Sequence, residues 1–287
     1  MSLPERRRCA TYLKTQYAVS ERRACEVLSI NRSSYRYCTR RDPIDSTHQE
    51  VVRLSDRYDY WGYRKIYDLM QRAEITVGRE RVRLIRRREG LQVRQKQHKR
   101  KVLGRSTQWV HRAEHPNHVW SYDFVMDQTI DGRTLKCLTV VDEFTRQGLA
   151  VRCARSLTAT DVVRVLDELI RQHGRPDCLR SDNGPEFIAK IVQHWLAKRS
   201  VGTHYIDPGS PWQNAYNESF NSIFRTTCLN RWVFESVVEA RAVIGQWLDE
   251  YNTVRPHGSL EGRSPSQFIE DWEDARSKAT TKQRSLT

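Results

Sequence analysis

From residue 118 the chain changes rhythm, and that change limits its fold more than any other feature of the sequence. "HVWSYDFVMD" (118–127), "TLKCLTVVDEF" (134–144) and "GLAVRCAR" (148–155) are strand-like runs with no room for a helix between them. "QTIDGR" separates the first two, and its Asp131-Gly132 marks a hairpin turn. The period then lengthens. In "SLTATDVVRVLDELIRQHG" (156–174) Val162, Val165, Leu166, Leu169 and Ile170 recur at helical spacing, and Gly174 supplies the stop. A short buried strand ("DCLRSD", 177–182), a helix ("EFIAKIVQHWLAKRS"), another strand ("GTHYID") and helices over about 214–231 and 236–253 complete the series. Consecutive strands followed by strands alternating with helices imply an α/β fold with a mixed sheet under helical cover.

What precedes residue 118 reads as helical and strongly basic. Residues 1–115 hold 28 Lys and Arg against 13 Asp and Glu, whereas the rest of the chain holds 21 against 22. The whole net charge of +14 therefore belongs to the first two-fifths, as expected of a polyanion-binding arm joined to a near-neutral body. "VSERRACEVLSINRSSYRY" (19–37) has helix-turn-helix spacing, with Ser20 as N-cap and a second short helix carrying Arg32, Ser33, Ser34 and Arg36. A second helical unit, over about 46–102, has Tyr63, Ile66, Tyr67 and Met70 at helical spacing, then Val82, Leu84 and Ile85 on an apolar side. Its cations make phosphate-contact candidates of Arg79, Arg81, Arg86, Arg87 and Arg88, followed by Lys96, Lys99, Arg100 and Lys101. The organisation expected is a first helical segment over 1–45, the basic unit over 46–102, a linker over 103–117, the α/β body over 118–273 and a flexible tail over 274–287.

No apolar run approaches the ~20 residues that span a bilayer, and the N-terminus has no continuous apolar stretch of the signal-peptide kind. A cytoplasmic, nucleoid-associated protein with no membrane partner is expected. The seven cysteines are widely spaced with no Cys-x-x-Cys pair, which favours reduced thiols over a zinc site. His111, His115 and His118 lie close together, but no cysteine pair follows them, and they read as linker histidines.

Three carboxylates stand apart from the other acids. Asp123 sits mid-strand among aromatic and aliphatic residues, where a charge is costly unless it is paired or bound to metal. Asp182 ends a strand just before "NGPEF", where turn residues make the chain leave sharply and where ligands of such sheets gather. Glu218 lies on a helix whose apolar stripe, Phe220, Ile223, Phe224 and Thr227, faces away from it. Asn221 and Arg225 flank the Glu218 face. The geometry of the helix alone leaves a solvated glutamate open.

"WSYDF", "VVDEFTR", "RSDNGPEF", "GSPWQNAYNESFN" and "YNTVRPHGSL", with thirty-five residues between Asp182 and Glu218, resemble the catalytic core of Asp-Asp-Glu transposases and retroviral integrases. The nearest likeness is to the second reading frame of the IS-three insertion-sequence family, covering roughly 48–270 and including "WGYRKIYDLM". The resemblance implies a ribonuclease-H-like mixed five-stranded sheet with helices on both faces, behind basic helix-turn-helix-like segments. It implies that Asp123, Asp182 and Glu218 are catalytic and bind metal, two Mg²⁺ or Mn²⁺ ions per site. Arg225 matches a basic residue that contacts DNA at the element end, with Asn221 beside it, and Asn183 and Gly184 look like supporting residues. Asp127, Asp142, Asp161, Asp177 and Glu186 would be surface or capping groups. Ala215 departs from the glycine common in relatives.

The activity implied is metal-dependent cleavage and strand transfer on double-stranded DNA, both the terminal inverted repeats and the target, through a circular intermediate. A homodimer on DNA is expected. So is an upstream-frame protein, or a frameshift fusion with it, because the family's first frame supplies a leucine zipper and helix-turn-helix that this chain lacks. The competing readings are a ribonuclease-H-type nuclease that only hydrolyses and a non-catalytic DNA-binding regulator.

Overall fold

A computed structural model describes residues 3–36, 45–93, 112–182, 184–206 and 214–284. The chain divides into two compact units, Met1–Gln49 and Glu50–Thr287. In the first, α1 (Leu3–Tyr17), α2 (Glu21–Val27) and α3 (Arg32–Arg36) are joined by tight turns. The Ser20 side chain caps α2 by accepting from Arg23 N at 3.3 Å. Glu21 draws the Nε of Arg36 (2.7 Å) and that of Arg32 (3.5 Å), so two basic residues of the third helix are engaged within their own unit.

The second unit begins in α4 (Ser46–Arg57), which straddles the division, and continues with α5 (Tyr63–Arg72) and α6 (Arg79–Arg88). Val51, Tyr58, Trp61, Ile66, Met70, Val82 and Ile85 form its helical core. The sequence pattern on α6 needs one correction. Leu84 is 44% exposed, whereas Arg86 is 2% exposed. At 100° per residue, position 84 lies 200° from Val82 and position 86 only 40° from it. Arg86 therefore points inward and donates from Nε (3.1 Å) and Nη2 (2.6 Å) to Leu91 O.

The sheet has the order β3-β2-β1-β4-β5, built from β1 (Val119–Gln128), β2 (Thr134–Asp142), β3 (Gly148–Ala154), β4 (Cys178–Ser181) and β5 (Gly202–Tyr205). The first three strands are antiparallel neighbours, and β4 and β5 run parallel to β1. This is the mixed five-stranded sheet expected. Gly132 takes φ +74° in the β1–β2 hairpin, a region glycine enters without strain.

Both faces are covered. Trp120, Tyr122, Leu138, Val140 and Leu179 pack against α7 (Ala159–His173) and α8 (Lys190–Lys198). Val125, Cys137, Val141 and Cys153 pack against α9 (Ala215–Thr227) and α10 (Val237–Thr253). β1 is central, and its first half is buried on both faces. A capping box of Thr158 and Asp161 starts α7, and Gly174 ends it at φ +92°. α11 (Pro265–Arg284) runs on across residue 274. The six described cysteines are free thiols, and no helix among the described residues is long and apolar enough to cross a membrane.

Candidate active site

Asp123 stands at the middle of the central strand, half-buried. Its Oδ1 accepts from Phe124 N at 2.7 Å and its Oδ2 from Asn221 Nδ2 at 2.9 Å. Burial pushes its pKa up to about 6. The negative charges of Asp182 and Glu218 add to that rise, while the two hydrogen bonds oppose it. Asp182 and Glu218, on two other elements, thus both act on the charge of Asp123.

Asp182 follows the last residue of β4 and is exposed. Its Oδ1 accepts from Gly184 N at 3.0 Å, which closes the turn. A Cβ on Gly184 would stand 3.0 Å from that same Oδ1 and 3.3 Å from Phe187, so the absence of a side chain lets the turn fold over the carboxylate. Phe187 anchors the turn. Its buried ring meets Tyr122 edge-on at 4.5 Å and stacks on Phe124 at 4.9 Å. Asn183 lies outside the described residues. Two residues before Asp182, Arg180 Nη1 bonds both oxygens of Glu143 at 2.9 and 2.7 Å in a buried ion pair that ties β4 to the end of β2.

Glu218 occupies the first turn of α9 and is exposed, while Phe220 and Phe224 are buried beneath that helix. Burying such rings stabilises the docking by about 1.5–3 kcal/mol each. Under the helix lies a polar seam that sequence reasoning missed. Thr139, opposite Asp123 on β2, reaches Asp123 O (3.1 Å), Asn217 Oδ1 (3.2 Å) and Asn221 Oδ1 (3.0 Å). Ser121 Oγ, Asn217 Nδ2 and Asn214 Oδ1 are buried there with no hydrogen-bond partner. Arg225 turns back to the sheet and donates from Nη2 to Met126 O at 2.6 Å.

Among the basic candidates of α6, Arg87 and Arg88 are exposed, Arg81 is half-buried, and Arg79 is exposed with its Cζ 5.1 Å over the Tyr67 ring. Arg86 is buried, as described above. Lys96, Lys99, Arg100 and Lys101 lie outside the described residues.

The remaining acids serve the backbone or pair on the surface. Asp142 accepts from the backbone N–H groups of Asn117, Phe144 and Thr145. Asp161 completes the α7 cap, and Glu186 pairs with Lys136.

Among the described residues, one set of three ligand-type atoms lies within 4.8 Å: His115, His118 and Asp177. The two imidazoles stack at 4.6 Å with 9° between their planes. Their ring lone pairs therefore lie in nearly parallel planes 4.6 Å apart at the centroids, a poor geometry for tetrahedral ligation of one ion. His118 Nδ1 is also occupied as acceptor from Glu114 N at 3.0 Å. The Asp123–Asp182–Glu218 set is different in kind, with hard oxygen donors only, two of them exposed. No ion pair to any of the three is found among the described residues. Such a donor set fits Mg²⁺ or Mn²⁺.

Comparison with known proteins agrees with this architecture. Two models described as "Integrase core domain" match residues 113–211 and 199–265, and one described as "HTH-like domain" matches 46–100. A 31.7 kDa protein of insertion element IS407 from Burkholderia multivorans is 36% identical over 257 residues, covering 89% of this chain and 92% of that protein. A 39.2 kDa protein of insertion element IS476 from Xanthomonas euvesicatoria is 34% identical over 271 residues, covering 94% and 78%. Among solved structures, a simian T-cell lymphotropic virus intasome in complex with a PP2A regulatory subunit matches 76% of this chain and 73% of its own. Its TM-score is 0.52 at 16% identity, a likeness of fold.

Proposed function

The chain belongs to the IS-three family of insertion-sequence transposases, and on that premise we propose that Asp123, Asp182 and Glu218 are its catalytic, metal-holding carboxylates. One observation carries the assignment. The charges of Asp182 at a strand end and Glu218 on a covering helix both act on Asp123 in the central strand, and none of the three has a cationic partner among the described residues. Repulsion of that kind is relieved by divalent cations, and the exposure of Asp182 and Glu218 leaves the face open to a polyanion.

Two divalent ions held by the three carboxylates would lower the pKa of an attacking water or 3′-hydroxyl and offset charge on the leaving oxygen. The chain's own residues set the geometry. Phe124 N and Asn221 Nδ2 fix the plane of the Asp123 carboxylate. The Gly184 turn, pinned by Phe187, holds Asp182 at the strand end, and the buried stripe of α9 keeps Glu218 outward. No side-chain nucleophile is required, because water serves cleavage and a DNA 3′-end serves joining. Arg225 is positioned to leave Met126 O for a phosphate, and Arg79, Arg87 and Arg88 present charge for the element ends. The partners are double-stranded element ends and target DNA, engaged as a homodimer, with the upstream-frame protein or a frameshift fusion completing the assembly.

The test is strand transfer on linear element ends with Mg²⁺, which should yield joined products. Asp182→Asn should abolish both cleavage and joining, a loss of at least about 10³-fold on the scale of electrostatic catalysis, while leaving DNA binding intact. Cleavage without joining by the wild type would favour a hydrolytic nuclease. Joining that survives Asp182→Asn would refute the carboxylate assignment.

A further inference from the structure

Lys65 on α5, with Arg255 and His257 in the turn after α10, crowd the seam where the basic helical unit meets the sheet domain. Arg255 is 8% exposed and His257 9%. Lys65 is half-buried. Among the described residues no hydrogen bond from the Arg255 guanidinium or the Lys65 ammonium is found and neither group is fully buried, whereas His257 Nε2 is buried with no hydrogen-bond partner. The two cations meet at one ring: Lys65 Nζ is 6.0 Å and Arg255 Cζ 5.9 Å from the Trp61 centroid. Aromatic contact offsets part of the desolvation of the two cations and leaves their N–H donors facing solvent.

The surrounding charges do not compensate. Burial first, then the charges of Arg255, Lys65, Arg146 and Arg72, all cations, hold the pKa of His257 down at about 3. Burial and Arg255 lower Lys65 to about 7, against a smaller opposing effect of Asp68. Glu250 is the carboxylate that acts on Arg255, and its Oε1 is taken by Tyr60 Oη at 2.9 Å. Arg72 is spent on the carbonyls of Val254 and Gly262. The planar fork of the guanidinium suits an oxyanion, and its donors have no protein acceptor among the described residues.

We propose that this seam is a phosphate site, in which Arg255 and Lys65, backed by His257, take one backbone phosphate of bound DNA. The choice of DNA as the phosphate's source rests on the transposase reading above, while the fit to an oxyanion rests on the donors alone. Continuity with the active face favours DNA over a protein carboxylate. Arg146, one of the four cations, stacks 3.9 Å over the ring of Tyr216, two residues before Glu218. A strand crossing the carboxylates toward the helical unit would pass this seam, and its phosphate would join the two.

The test uses the full chain, with inorganic phosphate as probe against chloride at matched ionic strength, and element-end duplex in a salt titration. Phosphate should raise the wild-type melting temperature. Arg255→Met should melt higher than wild type in chloride, because a partly desolvated cation beside Lys65 is gone, and should lose the phosphate increment. Lys65→Met should lose that increment too. In both variants the slope of log affinity against log salt should shrink by about one. No phosphate increment in the wild type together with unchanged salt slopes overturns the site. An increment with unchanged slopes overturns DNA as the source. Failure of the transposase reading would look different: no strand transfer by a wild type that still binds phosphate and DNA here.

Discussion

Thr139 has one hydroxyl proton and three oxygens within 3.2 Å, on Asp123, Asn217 and Asn221. When it donates to Asn221 Oδ1, the amide is oriented so that Nδ2 faces the Asp123 carboxylate, as observed. Thr139→Val keeps the shape and removes that donor, leaving buried amide oxygens unsatisfied. It should cost about 1–3 kcal/mol of stability in urea denaturation and lower strand transfer, while Thr139→Ser should restore activity. A Val variant as active as wild type would remove Thr139 from the site. The carboxylates were legible because an acid inside an apolar strand and an acid before Asn-Gly-Pro each break a local rule. Thr139 was not. Reading Asp131-Gly132 as a two-residue turn sets Asp123 opposite Val140, whereas the hairpin pairs Gln128 with Thr134 and so Asp123 with Thr139. One residue of register decides which side chain lies under the site.

At the level of elements, β3 is held against the helices by Gly148. A Cβ there would stand 2.6 Å from Leu248 and 2.8 Å from Phe220, on α10 and α9. The backbone of Gly148 is also clasped by Asn252, which accepts from its N–H and donates to its carbonyl, both at 2.9 Å. Gly148→Ala should therefore destabilise by about 1–3 kcal/mol through overpacking, read as a lower urea midpoint. Because Phe220 lies on the helix that bears Glu218, catalysis should fall with it, whereas alanine at Gly245, where a Cβ meets nothing within 4 Å, should leave packing undisturbed. Periodicity found these strands and helices because each buries a face. It failed on α6, where a run of arginines hid which one lay on the inward face. Only the carbonyl of Leu91, brought round by the chain after the helix, makes the burial of Arg86 tolerable.

Across the whole of the second unit, the basic helices and the sheet domain are bound by specific polar contacts. Arg72 donates to Val254 O at 2.9 Å, and Arg231 Nη2 to Asp59 at 3.0 Å. No pattern in the sequence predicts them, because the partners lie more than 170 residues apart. They were beyond reading for that reason, although "WGYRK" and "YNTVRPHGSL" each stood out as motifs. The same seam holds Lys65, whose pKa falls from 10.5 to about 7 through burial first and Arg255 second. The unfolded chain binds a proton on this lysine up to about pH 10.5, while the folded chain has released it above about 7. The unfolded state thus holds more protons in that window, so this group's contribution to stability rises with pH between the two values and is most adverse below pH 7. Lys65→Met removes that adverse contribution. In chloride buffer the variant should melt above the wild type at pH 6, and the gap should close progressively toward pH 10. A gap that stays constant from pH 6 to 10 would mean that Lys65 keeps its proton in the fold, and that the seam carries less strain from unpaired charge than its geometry implies.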